Sequence, residues 1–555
     1  MPSRSIIPIT MVSLERPLRR DSELGKSEVN QPQNEDAVIM DSTIDEKRYS
    51  FEIPSDPIPD SKIVNTIESE IVIIGAGTAG LVCANSAVEN GANVTLIAAS
   101  SHPVSRGGSN HAINSSLMRK LGIVYDVGKS FKQEIDRAGG RIDQDKWSLF
   151  ANNSEEAMDW LIEKMEAAGY TAAIETADFD PDGVFSSFPG SHCFLGGNIN
   201  QVGQGQSLVV NTLAKLAAES GVRIFYDMVA KQLVRDNNST GRINAVIAKN
   251  SEGSYIKYVG SKAIVLATGD FTKDREMVSK YCPEVLTLVS RTPVDYNTQR
   301  ASGGIYAGDG HKMALWVGAA WQQTDPNAPM LSGGVGPSPS PYASFKGLLI
   351  NKNAVRYGNE DVNRTHAGYI QIRQPECKVY AVWDSTYAER MAPWYSRGYY
   401  DSPPQSSDSI VAGWETAVKA GTILKAESLE KLAEGLGLNS AKLMATVDKY
   451  NESCDKGVHE DFFKRPELLI PVREAPFYGQ CNSMPRLLIV CGGLRTNVKM
   501  QVLDTKGLVI TGLYAVGTIA GDMFANYYSF MPSGINLGAN CLTFGYIAGK
   551  QIAGS

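Results

Sequence analysis

A chain of 555 residues, 43% hydrophobic and 20% charged, has the make-up of a globular protein too long for one ordinary core, so two or three domains are expected. The net charge of −7 implies no basic face and argues against nucleic acid as a partner, and no apolar run approaches the ~20 residues that span a bilayer. Eight cysteines, at 83, 193, 282, 377, 454, 481, 491 and 541, form no Cys-x-x-Cys pair, which excludes a Cys-pair zinc site, a c-type haem attachment and a ferredoxin-type cluster; no metal is expected.

Residues 1–66 are polar, dotted with proline and aperiodic. They read as a mostly disordered arm, laid on the surface by Tyr49, Phe51 and Ile53. The opening MPSRSIIPITMVSLERPLRR has no hydrophobic stretch long enough for a signal peptide, and with the cysteine pattern this predicts a reducing cytoplasm.

Four β-formers at 71–74 then run into GAGTAG (75–80) and a small-residue helix start. Gly75 suits the tight turn, Gly77 lets backbone approach a pyrophosphate, and Gly80 lets the helix pack on the strand, with Thr78 and Ala79 between. The helix N-terminus offers N–H groups and a positive dipole end to phosphates. A second strand at 93–97 completes the unit, and the context marks a dinucleotide site.

Further along, a helix is predicted at 204–221, closed by Gly221, and a strand at 222–226. A polar turn at 236–241 separates two strands, the second at 243–248. A buried strand at 262–270 ends in the small-residue turn Ala267, Thr268, Gly269. Gly308 and Gly310 open a helix that continues over 312–317. From about 332 to 479 aromatic, proline-rich loops alternate with a helical pair at 429–435 and 440–451. The style of the first domain returns with a strand and turn at 512–517, ending at Gly517, and a last helix started by PSGINLG (532–538) and running to about 551. No repeat of fixed period is present. The fold class is therefore α/β, one domain interrupted by an insertion.

Taken together and in this order, GAGTAG (75–80), SRGGSNHAIN (105–114), LATGD (266–270), GDGHKMA (308–314), RYGNE (356–360), CGGLRTN (491–497), LYAVG (513–517) and LGANCLTFGYIAG (537–549) resemble the flavoprotein family of fumarate reductase, succinate dehydrogenase, urocanate reductase and the 3-oxosteroid dehydrogenases, over about residues 67–555. The resemblance implies FAD as cofactor and a two-dinucleotide-binding-type domain with a parallel sheet, in two parts at 67–331 and 481–555. An α+β capping domain would be inserted at 332–480, with the chemistry at the interface. The residues support this by themselves. Gly107, Gly108, Ser109 and Asn110 give a backbone that can approach a flat ring, with donors for its carbonyl edge. Gly534, Asn536 and Leu537 at a helix start would aim a positive dipole end at the flavin N1/O2 locus. Two departures stand out. Ala98 occupies the place where the family holds the ribose with an acid, leaving Ser100 or Ser101 or a backbone group to replace it, and Thr518 stands where the family usually has Glu. His102, five residues before Gly107, is one residue short of the spacing at which some quinone-linked members attach FAD covalently, and reads as a loop histidine.

By the same resemblance, the proton for an alkene reductase comes from an arginine four residues after the glutamate of RYGNE, which is Arg364. Its other reading is an arginine salt-bridged to Glu360 or Asp361. The family's Glu/Arg relay is not matched, Lys346 being the nearby candidate. Tyr527 and Tyr528 are rival proton carriers, and His311 reads as a packing or FAD-proximal polar group. Met330, Ile489 and Asn536 stand where the dicarboxylate enzymes place two histidines and an arginine, so a dianion loses its charge partners. With Met330, Tyr527, Tyr528, Phe530 and Met531 as candidate lining, the expected substrate is bulky and apolar. The expectation is reduction of the conjugated C=C of an enone or enoate, foremost a 3-oxo-4-ene steroid or bile-acid-like molecule, with electrons from an external donor. The alternatives are a 3-oxosteroid dehydrogenase running as a desaturase, a urocanate- or fumarate-type reductase of a small acid, and a flavin electron-transfer protein.

Overall fold

Along the strand Ile63–Ile74, alternate apolar side chains enter different cores: Ile71 and Ile73 on one face, Val72 and Ile74 on the other. A strand buried on both faces belongs in the middle of a parallel sheet, and there it lies. The computed structural model describes residues 49–174, 188–195, 205–236, 241–298, 304–332, 347–362, 364–391, 406–458, 460–530 and 532–555, without the side chains of 364, 365 and 391. All of these fall in one compact unit, Tyr49–Ser555.

The main sheet has eight strands, six of them in the order Gln501–Leu503, Val509–Ala515, Tyr255–Leu266, Ile63–Ile74, Val94–Ile97, Arg223–Phe225. The central pairings are parallel, whereas Val229–Arg235 and Ile243–Lys249 form an antiparallel meander onto the first half of Tyr255–Leu266. Register brings Ile97, Ile74, Leu266 and Ala515 into one row. The chain turns after each of them, at Ala98, Gly75, Ala267 and Val516, so the expected cofactor turns share the carboxyl edge of the sheet, where such folds bind ligands. Helices Thr78–Glu89, Gln144–Ala167, Gly205–Glu219 and Phe544–Ala553 cover one face. The second of these, 24 residues long, and helix Val127–Arg137 are elements beyond those expected from the sequence.

Residues 348–482 carry a separate four-stranded antiparallel sheet, Leu348–Asn351, Val379–Asp384, Phe477–Asn482, Leu424–Ala426. Its core is its own, built on Trp383, Trp414 and Tyr478. The predicted helical pair is Leu429–Leu436 and Ser440–Lys456. A two-stranded ribbon, Ala328–Ser332 with Arg486–Cys491, joins the segments that flank this insertion.

Two expectations need adjusting. The first strand opens at Ile63, four residues inside the segment read as an arm, and of its three anchors Phe51 is buried against Tyr281 while Ile53 is half exposed. The last helix is not α-helical from its start: Leu537–Thr543 is a π-helical turn. Widening the turn releases the Asn540 carbonyl, which accepts from Gly517 N at 2.8 Å.

Candidate active site

Five segments meet at the carboxyl edge of the main sheet, and contacts that only glycine permits hold them together. A Cβ on Gly75 (φ +119°) would lie 2.3 Å from the Ala267 oxygen, and one on Gly80 would lie 1.9 Å from the Gly75 oxygen. Gly517 rests on Ala79, Gly107 on Leu537, and Gly534 on the Ser109 backbone. Thus the sites named from GAGTAG, Gly107 to Asn110, Ala267 to Gly269, Gly517 and Gly534 to Leu537 form one cradle. Thr78 at the helix start bonds Ser105 Oγ at 2.7 Å and accepts from Gln206 at 2.8 Å, and Asn110 donates to the same glutamine at 3.1 Å. Among the described residues no side chain caps helix Thr78–Glu89 at Gly77, and an uncapped helix start of this kind suits a phosphate.

The cradle offers polar atoms to a bound group. Thr268 Oγ1, Asn110 Oδ1 and Ser533 Oγ are buried there without a hydrogen-bond partner among the described residues, a state that polar atoms seldom keep unless a ligand or water satisfies them. Gly108, whose oxygen would lie 2.6 Å from a Cβ on Gly205, is pressed onto the helix behind. At the departures, Ala98 is buried with its N–H on Phe225, and Ser100 Oγ donates to the His102 carbonyl at 2.7 Å. Ser101 faces Asn297 at 3.0 Å. Thr518 Oγ1 accepts from Asn536 Nδ2 at 3.2 Å. His102 is exposed, and its ring nitrogen Nδ1 bonds its neighbour Ser101 at 3.2 Å.

Met330 and Ile489 are cross-strand partners in the two-stranded ribbon. Two positions read separately from the sequence therefore form one apolar wall. Asn536 is fixed between Thr518 and Asn540, whose amide donates to it at 2.9 Å. Tyr528 is buried against Phe524 and Phe530, and its oxygen accepts from Asn536 N at 3.3 Å. Burial holds its phenol well above the usual value. Tyr527 is half-buried, and its hydroxyl bonds His366.

Arg364 begins helix Arg364–Gln371; its side chain lies outside the described residues, as do Lys346 and Met531. The carboxylates considered as its salt partners are engaged elsewhere. Glu360 is held by Arg356 at 2.7 Å and faces Lys464 at 3.5 Å, and Asp361 is held by Arg465 at 2.8 Å.

Several polar residues near the cradle had not been singled out. Asp270 is buried, with its carboxyl pushed up by burial and drawn back by Arg106. Glu134, also raised by burial, binds Arg137 at 2.7 Å and accepts from Ser529 at 3.0 Å. His111 bonds the Ser533 carbonyl at 3.0 Å and Tyr125 at 3.1 Å. His366 had one signal in the sequence, its place two residues after Arg364 on the same helix; the partner of Glu134 lies 395 residues away and gave none.

Comparison with known proteins agrees with this geometry. The FAD binding domain family matches residues 70–531. A vinyl phenol reductase of Lactiplantibacillus plantarum is 27% identical over 514 residues, covering 87% of this chain and 95% of that protein. A probable fumarate reductase of Shewanella frigidimarina is 24% identical over 513 residues, covering 87% and 75%. Among solved structures, the 3-ketosteroid-Δ4-(5α)-dehydrogenase of Rhodococcus jostii RHA1 in complex with 4-androstene-3,17-dione superposes with a TM-score of 0.66 at 21% identity, over 90% of this chain and 99% of that one.

Proposed function

We propose that this chain, which belongs to the FAD binding domain family and is an FAD-dependent oxidoreductase, reduces a conjugated C=C bond in a bulky, largely apolar molecule such as a 3-oxo-4-ene steroid or a hydroxystyrene. The observation that carries this is the Met330–Ile489 wall together with the neutral Asn536, at the places where a dicarboxylate would need cations. The resemblance to a vinyl phenol reductase, along nearly that protein's full length, supports an uncharged aromatic substrate.

Bound FAD supplies the hydride that the double bond takes up. The protein's share is to place the substrate, exclude water and deliver one proton to the neighbouring carbon. Gly107 to Asn110 and Gly534 to Leu537 hold the ring system, and the apolar wall opposes it. Arg364, at the start of the helix facing this wall, is the proton donor. A guanidinium is a weak acid, so it serves here through transient proton loss with re-supply by a second group. Tyr528 braces the Asn536 backbone and keeps its proton. An external carrier provides the electrons, and no helix among the described residues is long and apolar enough to cross a membrane.

The test is anaerobic reduction of the bound flavin, then mixing with a hydroxystyrene, a 3-oxo-4-ene steroid, urocanate and fumarate. Reoxidation by one of the first two, at least 100-fold faster than by fumarate, is expected. Fumarate as the best oxidant refutes the proposal.

A further inference from the structure

Helix Arg364–Gln371 meets the loop before Gly534 through the side chains of His366 and Tyr527. His366 Nε2 and the Tyr527 hydroxyl are hydrogen-bonded, with ring centroids 5.5 Å apart and planes inclined by 35°. Both side chains are half-buried. The same helix is tied to the apolar wall by Tyr369, whose hydroxyl donates at 2.7 Å to the carbonyl of Pro329, the neighbour of Met330. The pair thus joins the helix that starts at Arg364, which Tyr369 ties to the ribbon carrying Met330, to the loop that leads to Asn536.

Burial, and after it the charge of Arg137, hold the His366 imidazole below its ordinary pKa. A neutral imidazole has one acceptor and one donor nitrogen. When Nε2 accepts the Tyr527 proton, the phenol oxygen keeps lone pairs for an incoming O–H. With the proton on Nε2, the imidazole donates to that oxygen and the phenol hydrogen turns to an incoming carbonyl. The pair therefore matches a hydroxyl or a ketone, and brings no full positive charge to a carboxylate.

We propose that Tyr527, held by His366, binds the neutral oxygen that is conjugated with the reacting double bond, a phenolic hydroxyl or a ketone. Tyr527 touches the substrate, and His366 is a positioning residue that acts through it. This rests on the substrate being a conjugated alkene, and it names the group by which that alkene is recognised. A hydrogen bond to that oxygen polarises the conjugated system and fixes which carbon faces the flavin.

The test reads flavin absorbance while the oxidised, FAD-loaded protein is titrated with 4-ethylphenol, acetophenone and ethylbenzene, none of which offers an alkene to reduce. At least one oxygen-bearing probe should bind about tenfold more tightly than ethylbenzene, the worth of one net hydrogen bond. Preference for 4-ethylphenol alone makes the recognised group a hydroxyl, and for acetophenone alone a ketone; both support the subsite. Tyr527→Phe should erase the preference without changing ethylbenzene affinity or flavin content. His366→Ala should weaken it severalfold, and His366→Gln, whose amide can still bond the phenol, should restore most of it. A tenfold preference that survives Tyr527→Phe, or is absent from the wild type, overturns the proposal. The alkene panel is scored separately. Conjugated alkenes reduced while Tyr527→Phe keeps the preference removes this subsite alone, whereas fumarate as the best oxidant removes the substrate reading beneath it.

Discussion

At Gly80 and Gly538 one methyl group is too much. A Cβ would lie 1.9 Å from the Gly75 oxygen in the first case and 1.8 Å from the His111 oxygen in the second, and both obstacles are backbone that cannot swing aside. Gly80→Ala and Gly538→Ala are each expected to cost at least ~1–3 kcal/mol of overpacking and to lower the flavin-to-protein absorbance ratio. Gly413 is the control: it lies inside helix Ser407–Lys419 with nothing within 4 Å, so Gly413→Ala should stabilise by about 0.5–1 kcal/mol and leave flavin content alone. Arg364 makes a different demand. It stands on the inserted segment while the cradle is built elsewhere, so Arg364→Ala should leave flavin content and flavin reduction intact. Substrate-driven reoxidation should fall by ~10²–10⁴-fold, the usual worth of a general acid. Rapid-mixing kinetics separate the two half-reactions, and reoxidation at the wild-type rate would remove Arg364 from the chemistry.

Helix Arg364–Gln371 depends for its aim on contacts at both ends of the site. Tyr369→Phe removes the bond to the Pro329 carbonyl, at a stability cost of about 1 kcal/mol. Because the same helix carries Arg364 and His366, turnover should fall by more than that loss of stability explains, with flavin content unchanged; steady-state kinetics beside a urea titration check this. What the sequence made legible at this scale follows from how local the signal was. GAGTAG, the Ala267 to Gly269 turn and the run at 532–538 each carry their geometry within a few residues, and register then brings them to one edge. The Met330–Ile489 pairing was half legible, as two substitutions whose adjacency needs the ribbon. The His366–Tyr527 and Glu134–Ser529 pairs join residues 161 and 395 apart, with no local pattern to betray them. The π-helical turn was hidden for a similar reason, because its cause is the distant N–H of Gly517.

Across the whole molecule, the cofactor frame and the inserted segment have separate hydrophobic cores, and acid should strain them unequally. His111, His192 and His311 are fully buried, and burial lowers them to about 3, about 4 and about 3. All three lie in elements packed against the cradle: His111 and His192 stand on the paired strands Asn110–His111 and Ser191–Leu195, where their partners are Ser191 and Asn110, and His311 lies in helix Asp309–Trp316, whose Gly310 abuts Thr268. None belongs to the core of the insertion. Unfolding restores an ordinary pKa near 6.5, so below that pH the unfolded chain binds more protons than the folded one. Stability that is present above pH 6.5 is therefore lost as the pH falls toward 3 to 4. Lowering the pH from 7.5 to 5.5 should cost about 1.4 kcal/mol for each histidine, about 4 kcal/mol for the three. Asp270 and Glu134, raised by burial, act with the opposite sign as the pH climbs above the ordinary carboxylate range. The cradle should thus release FAD in acid before the insertion unfolds. Flavin fluorescence, which rises on release, followed alongside the near-ultraviolet signal of Trp383 and Trp414 during denaturation at the two pH values, should show the flavin midpoint moving down and the tryptophan midpoint holding. His192→Gln should flatten the pH slope of the flavin midpoint by about a third, since one of three equivalent protonations is removed. A flavin midpoint that is the same at pH 7.5 and 5.5 would show that these histidines are not held neutral in the folded protein.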